Sequence, residues 1–432
     1  MKKRLAFAPL ALIGAVALAI TGCTGGSGSA GGGAGGEPKG DPNAEVEFWS
    51  FTGINQKDGV DKYLELKPDA KVKLSEVGST TETATALTAA LAGGKVPDLV
   101  MIQNDDLPKF VENPGNFVDL RTLGGDDVGE PYLDWAVNAA TGENGEVIGI
   151  PTDVGGLSFA YRADLFEAAG LPTDPDEVAE AWSTWDKFIE MGEKYTEATG
   201  EPFVDNVETT VFFATVNQVS EKYYSDDGEV IFESNPEVKD AFQVAVDTYD
   251  AGISAGIAAW SSGWAPGKAN GSFAVTTAPS WILQGLKTDA PDTEGLWRVA
   301  TLPEGAGNWG GSVIAIPARA ENPAGAWQYI ETMMSPDAQL EHFTETGTFP
   351  AAETALESEE VTSYTDPFFG DSKIGEVMAQ SVLGFSEFYN GPDTSAIGGA
   401  LLNALVDMEA GNTAPEDAWK TGVDSANAAL GG

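Results

Sequence analysis

Cysteine, histidine and arginine are nearly missing from this 432-residue chain. The one cysteine, Cys23, excludes an intrachain disulfide, so the fold must rest on its core. The one histidine, His342, falls in a predicted helix and argues against a His-centred triad or a His-rich metal site. Beyond residue 22 there are four arginines, Arg121, Arg162, Arg298 and Arg319. Sites for phosphate or carboxylate usually recruit arginine, so an anionic ligand is disfavoured. Basic residues are scarce overall: 23 Lys and Arg stand against 67 Asp and Glu, a net charge of −44. Such a surface keeps the chain soluble and repels nucleic acid. Neither Gly26–Gly31 nor Gly263–Lys268 has the flanking pattern or spacing of a nucleotide loop, and Asp226-Asp227-Gly228 reads as a turn rather than a calcium loop. No metal and no cofactor are expected.

The chain is rich in Gly and Trp, and both are unevenly placed. Lys2, Lys3 and Arg4 precede the apolar run Leu5–Ile20, the pattern of a secretory signal and too short for a retained span. Ile20-Thr21-Gly22-Cys23 resembles the lipobox of bacterial lipoproteins. That resemblance implies cleavage after residue 22 and acylation of Cys23, an anchor to the outer face of the cell membrane. Residues 23–43 are mostly Gly, Ser, Ala and Pro and predict a flexible tether.

The remaining length exceeds what one core usually serves, so two lobes are expected. Alternating stretches at Glu45–Trp49 and Lys71–Leu74 read as strands, as does the apolar run Asp98–Ile102. Helices are predicted at Gln56–Leu66, Ser79–Ala92, Leu107–Glu112, Ala163–Ala169, Trp182–Thr199 and Pro236–Ala251. Further strands are predicted at Leu157–Tyr161, Phe273–Thr277, Trp297–Thr301 and Val313–Ile316. Strands alternating with helices point to parallel α/β sheets. Eleven tryptophans occur. Trp260, Trp264, Trp281 and Trp309 sit beside Gly, Pro or Ser, and large rings in loops suit stacking on a ligand. Trp182, Trp185, Trp297, Trp327 and Trp419 fall in regular elements and read as structural.

Several motifs occur in an order that resembles the extracellular solute-binding proteins, family 1, of bacterial carbohydrate ABC importers, the maltose-binding-protein-like group. They are Ala92–Val100, Gly149–Asp153, Leu157–Leu171, Trp185–Phe188, Gly267–Ala269, Ala278–Trp281, Gly310–Ser312 with Ile316-Pro317, and Gly347–Ala351. Ala278 and Asn270-Gly271 depart from the family's usual Gly and Ala-Met. The resemblance implies a periplasmic-binding-protein-like fold of type II, a Venus flytrap. Its two lobes have parallel-rich sheets flanked by helices and are joined by a hinge. The expected lobes are 44–152 plus 273–318, and 153–272 plus 319–432, with the ligand between them at strand ends.

A sugar offers hydroxyls and a C–H face, which planar polar groups and aromatic rings would meet. Phe51 and Thr52 follow the first strand and read either as site residues or as a turn. Gln103 and Asp105 follow the third strand, and read either as site residues or as a helix cap. Asp153 lies in the crossover. Trp264, Trp281, Trp309 with Gly311, and Tyr389 complete the expected set. The expectation is a non-enzymatic, monomeric receptor. It would capture a carbohydrate, a di- or oligosaccharide, and deliver it to membrane permease subunits. The alternatives are an exported glycoside hydrolase using two carboxylates, or the same binding fold with a polyol or peptide ligand.

Overall fold

The computed structural model describes residues 38–54, 56–385 and 389–431. The signal (1–22), Cys23 and most of the tether lie outside the described residues. Two sheets organise the body. The first contains β1 (Glu45–Ser50), β2 (Lys71–Glu76), β3 (Leu99–Gln103), β4 (Gly149–Gly156) and β8 (Asn308–Ala315). Its strand order is β2-β1-β3-β8-β4. The second contains β5 (Phe159–Arg162), β6 (Val275–Thr277) and β7 (Trp297–Ala300), in the order β6-β5-β7.

Local patterning accounts for most elements. In β1, alternation buries Val46, Phe48 and Ser50. The continuous apolar run of β3 is buried on both faces. Leu99 and Met101 enter one core with Phe48, Ile150, Ile314, Trp327 and Tyr329. Val100 and Ile102 enter another with Leu107, Phe110, Val313 and Ala315. The Pro236–Asp250 helix starts where Pro236 follows the cap Asn235, whose side chain accepts from the Glu237 amide. The helix Ala163–Ala169 stops at Gly170, whose φ of 75° suits glycine. The long helix expected from Trp182 instead starts at Trp185, because the Thr184 hydroxyl caps it by accepting from the Lys187 amide.

Three expectations change. The parallel-rich expectation fits the first sheet, where β8 alone runs against the other four strands, but not the second. β1 is parallel to β2 and β3, but β8 is antiparallel to both β3 and β4, and β5 is antiparallel to β6 and β7. Helical connections join β1, β2, β3 and β4, which all run the same way, whereas β8 enters the first sheet from the second and runs against them. The second change concerns the lobe boundaries. β6 and β7 lie within 273–318, grouped above with the first lobe, yet they pair with β5. Conversely, the helix Pro323–Met333, grouped with the second lobe, packs Trp327, Tyr329 and Ile330 onto the first sheet. Thirdly, Trp264 opens the helix Trp264–Asn270, Trp281 lies in the first turn of Ser280–Asp289, and Trp309 is in β8. Of the four tryptophans flanked by Gly, Pro or Ser, Trp260 alone lies outside a helix or strand. The core around the second sheet is largely aromatic: Phe159, Trp182 and Trp297 are fully buried, and Phe159 meets Trp182 edge-on at 5.5 Å.

Candidate binding site

The register of the first sheet builds one side of the site. Ser312 of β8 stands opposite Gln103 of β3 and opposite Asp153 of β4. Three polar residues therefore align across neighbouring strands, at the C-terminal end of β3 and in the second half of β4. Just beyond this row, β8 is pinned from both sides. The Asn104 amide donates to the Gly311 carbonyl (3.1 Å). The Asn104 side chain donates to the Gly310 carbonyl (3.1 Å). The Gly155 amide donates to Asn308 Oδ1 (3.0 Å), and Asn308 Nδ2 donates to Gly310 (2.9 Å).

Gly310 and Gly311 have φ of 95° and 92°, which glycine adopts at little cost. A Cβ at Gly311 would lie 2.7 Å from the Asp153 carbonyl, and one at Gly155 only 1.9 Å from the Trp309 carbonyl. These close backbone approaches, with a register shift between Val154 and Gly156, turn the start of β8 and aim Trp309.

Trp309 meets three other rings. It packs on Phe213 at 4.4 Å, and it is edge-on to Trp281 (5.2 Å, 78°) and to Trp260 (5.7 Å, 86°). Trp260 and Trp281 are nearly parallel to each other, 16° apart at 6.2 Å. Trp281 Nε1 donates to the Trp309 carbonyl (3.2 Å), locking the corner. Trp281 is 36% exposed and Trp260 62%, so their faces are available, while Trp309 forms the buried wall. Trp281 follows the C-terminal end of β6, so both sheets contribute strand ends here.

The expected residues fare differently. Gln103 and Asp105 pair locally: Gln103 Oε1 accepts from the Asp105 amide (2.7 Å) and Gln103 Nε2 donates to the Asp105 carboxylate (3.1 Å). Burial raises the Asp153 carboxyl above its ordinary value, opposed by hydrogen bonds from the Thr152 hydroxyl (2.6 Å) and the Ser312 backbone. Phe51 is a correction: it is buried against the first sheet with Val46, Phe48 and Tyr63 and offers no face for stacking. Thr52 is exposed, but its amide and hydroxyl face the Gly78 carbonyl at 2.8 and 3.3 Å. Trp264 is a second correction. It is 6% exposed, its Nε1 donates to Asp205 (2.8 Å), and the Lys268 ammonium sits 3.6 Å from its ring centroid. It supports Trp260 from beneath at 5.5 Å rather than presenting a face to a ligand. Tyr389 is 43% exposed and meets Tyr224 edge-on (5.9 Å), and no described contact joins it to the tryptophan corner.

Other residues adjoin this corner. Trp260, one of the four tryptophans singled out on sequence, has a φ of 59°, unusual outside glycine. Phe213 ends a π-helical turn, Glu208–Phe213, which no sequence pattern announces. Lys222 is buried beside Phe213 and Tyr223, 5.8 and 5.1 Å from their ring centroids, and donates to Asn217 (3.1 Å). Burial pushes its ammonium down to about 8, partly offset by the charge of Asp105. An apolar corner beside a row of planar polar groups suits a ligand with both a C–H face and hydroxyls. Among the described residues, no cluster of three or more His, Cys, Asp or Glu side chains could hold a metal, and no helix is long and apolar enough to cross a membrane.

The chain is similar to known proteins in sequence and fold. The chain is 24% identical over 356 residues to the lactose-binding protein of Rhizobium radiobacter, covering 78% of this chain and 81% of that one. It is 25% identical over 249 residues to the arabinooligosaccharide-binding protein of Bacillus subtilis (strain 168), covering 55% of this chain. That match spans 53% of the relative, about half its length. A crystal structure of an extracellular solute-binding protein of family 1 superposes with a TM-score of 0.81 at 29% identity, covering 89% of this chain and 99% of that one. The fold is that of a type II periplasmic binding protein. The pattern shared by the bacterial extracellular solute-binding proteins matches residues 59–369, well over half of the sequence, and the chain belongs to that family.

Proposed function

We propose that the protein captures a di- or oligosaccharide outside the cell and delivers it to the permease subunits of an ABC importer. The observation that carries this reading is the tryptophan corner. Two exposed, nearly parallel rings and a perpendicular third adjoin the Gln103–Ser312–Asp153 row. Aromatic faces match the C–H face of a pyranose or furanose, and the polar row matches its hydroxyls. The names of the lactose-binding and arabinooligosaccharide-binding relatives support a sugar ligand.

In this reading each sheet is the centre of one lobe. The first lobe contains β1 to β4, β8 and the helix Pro323–Met333. The second contains β5 to β7 and their aromatic core. Ligand bridging both lobes favours a closed form, which the permease then recognises. Gln339 sits at the hinge. Its amide nitrogen donates to the Pro151 carbonyl (2.8 Å), and its oxygen accepts from the amides of Ala351 and Ala352 (2.8 and 2.9 Å). One side chain thus ties β4 of the first sheet to Ala351-Ala352, which contribute one residue to each of two cores.

Titration of the purified body with arabino-, galacto- and gluco-oligosaccharides, followed by tryptophan fluorescence, tests the proposal. A saturable change with at least one sugar is expected. No response to any of them overturns it, and new reducing ends would identify a hydrolase instead.

The acylated Cys23 would hold this mobile receptor near its importer. Cys23→Ser should move the protein from the membrane fraction to the medium while leaving sugar affinity unchanged. Retention on the membrane in that variant would refute the anchor.

A further inference from the structure

Two carboxyl groups, one buried (Glu208) and one half-buried (Glu409), lie beside the tryptophan corner without touching it. Glu208 is 3% exposed and opens the π-helical turn that ends at Phe213. Glu409 closes the helix Thr394–Glu409. Glu409 accepts from the amide of Val207, the residue before Glu208, so the two carboxyls are neighbours, and each acts on the other's proton affinity. Glu208 Oε1 accepts from the Ala259 amide (3.3 Å). Glu409 Oε1 accepts from the Val207 amide (3.2 Å) and from the Ser254 hydroxyl, whose oxygen in turn accepts from the Gly256 amide (3.2 Å). Buried Glu208 Oε2 has no hydrogen-bond partner among the described residues. Two neighbouring carboxylates repel, whereas a proton on Glu208 Oε2, donated to Glu409, would satisfy the orphan atom and remove one charge.

The pair holds two arms of the site. One arm is the segment Ser254–Ala259, which leads directly into Trp260, held at φ 59° with its ring 62% exposed. The other is the π-helical turn, whose last residue, Phe213, packs on Trp309 at 4.4 Å. We propose that Glu208 and Glu409 are positioning residues for the sugar site, sharing one proton that holds the loop presenting Trp260. This inference rests on the sugar-site reading above, but it makes a claim that can be measured without sugar.

The electrostatic setting agrees with the geometry. Burial is the largest influence on both groups and raises both carboxyls, Glu208 to about 9. The neighbouring charge that acts on both is Asp205, also acidic. Segment 254–259 carries no ionisable side chain. The helix Pro236–Asp250 packs on the same turn through Phe242 against Phe212, and β6 through Thr277 against Thr210. Loss of the shared proton to solvent leaves two anions in contact in a poorly hydrated site, and their repulsion pushes the two arms apart.

The sign follows from linkage. A carboxyl raised in the folded state holds its proton there while the unfolded chain has already released it. Stability therefore declines as pH climbs from the ordinary glutamate range towards about 9. The ordered loop is lost over the upper end of that range.

The test follows tryptophan fluorescence of the sugar-free protein, with far-ultraviolet circular dichroism, from about pH 6 to about pH 10.5. A fluorescence step near 9 with the fold intact is expected in the wild type. The step should vanish in Glu208→Gln, whose amide donates to Glu409 at every pH. Glu409→Gln serves the same purpose if the first variant does not fold. In parallel, affinity for lactose or an arabino-oligosaccharide should weaken above the step, with a limiting slope of about tenfold per pH unit, and Glu208→Gln should abolish that slope. A wild type with no step, or a step of equal size in both Gln variants, overturns the proposal. If no sugar binds at any pH, the sugar-site reading fails, and the fluorescence step still decides whether the proton holds the loop.

Discussion

Replacing Trp281 with alanine should weaken binding of the responding oligosaccharide by about 30-fold or more, which corresponds to about 2 kcal/mol. Trp281 offers a half-open ring face beside Trp260 and Trp309. Its Nε1–H is already used internally, by the Trp309 carbonyl, so its contribution to ligand is the face and not a polar contact. Trp281→Phe should recover part of the affinity, because a smaller ring keeps some of the stacking area. Isothermal titration of the three proteins decides the matter, with thermal unfolding as a control. Trp419→Phe should have affinity within twofold of wild type, since Trp419 packs on Phe242 away from the corner. An Ala variant at 281 with unchanged affinity would remove stacking from the account.

Asp205→Ala should be the most destabilising change among the residues supporting the site, by about 3–4 kcal/mol. Asp205 is fully buried. Its carboxylate accepts from the Asn206 amide (2.8 Å), Thr210 Oγ1 (2.7 Å), Trp264 Nε1 (2.8 Å) and Thr276 Oγ1 (2.7 Å). Alanine would leave these buried donors unpaired, and unpaired donors cost more than the bonds themselves contribute. The same network fixes Trp264, which lies beneath Trp260, so sugar affinity should fall as well. Asp205→Asn should be milder, because the amide keeps one acceptor oxygen, although its NH₂ faces the Trp264 donor. Denaturant unfolding of both variants supplies the measurement. A loss below about 1 kcal/mol for the alanine variant would mean that water replaces the carboxylate and that the network does not hold the site.

The two predictions differ in how far sequence leads to them. Trp281 and Trp309 could be singled out from their flanking Gly, Pro and Ser residues and from their order among the family-like motifs. The Asp205 and Glu208 positions carry no such mark. Each is one acid among 67, in a stretch without clear periodicity. Phe51 was misleading for a related reason: its place after β1 fits a site residue, but burial depends on Tyr63 and the helix carrying it.

Sequence by itself determined the α/β class, most strand and helix positions, and the glycines that permit the turn at Gly310-Gly311. These depend on neighbours a few residues apart, through alternation, helical spacing, capping and steric limits on φ. Tertiary structure alone decided the mixed strand order, the transfer of β6 and β7 to the second sheet, and the exposed faces of Trp260 and Trp281. It also decided which acids lie together in the dark interior beneath them. Those outcomes depend on pairings between segments far apart in the chain, such as Gln103 with Ser312 and Glu208 with Glu409, and no local pattern encodes a partner at that distance.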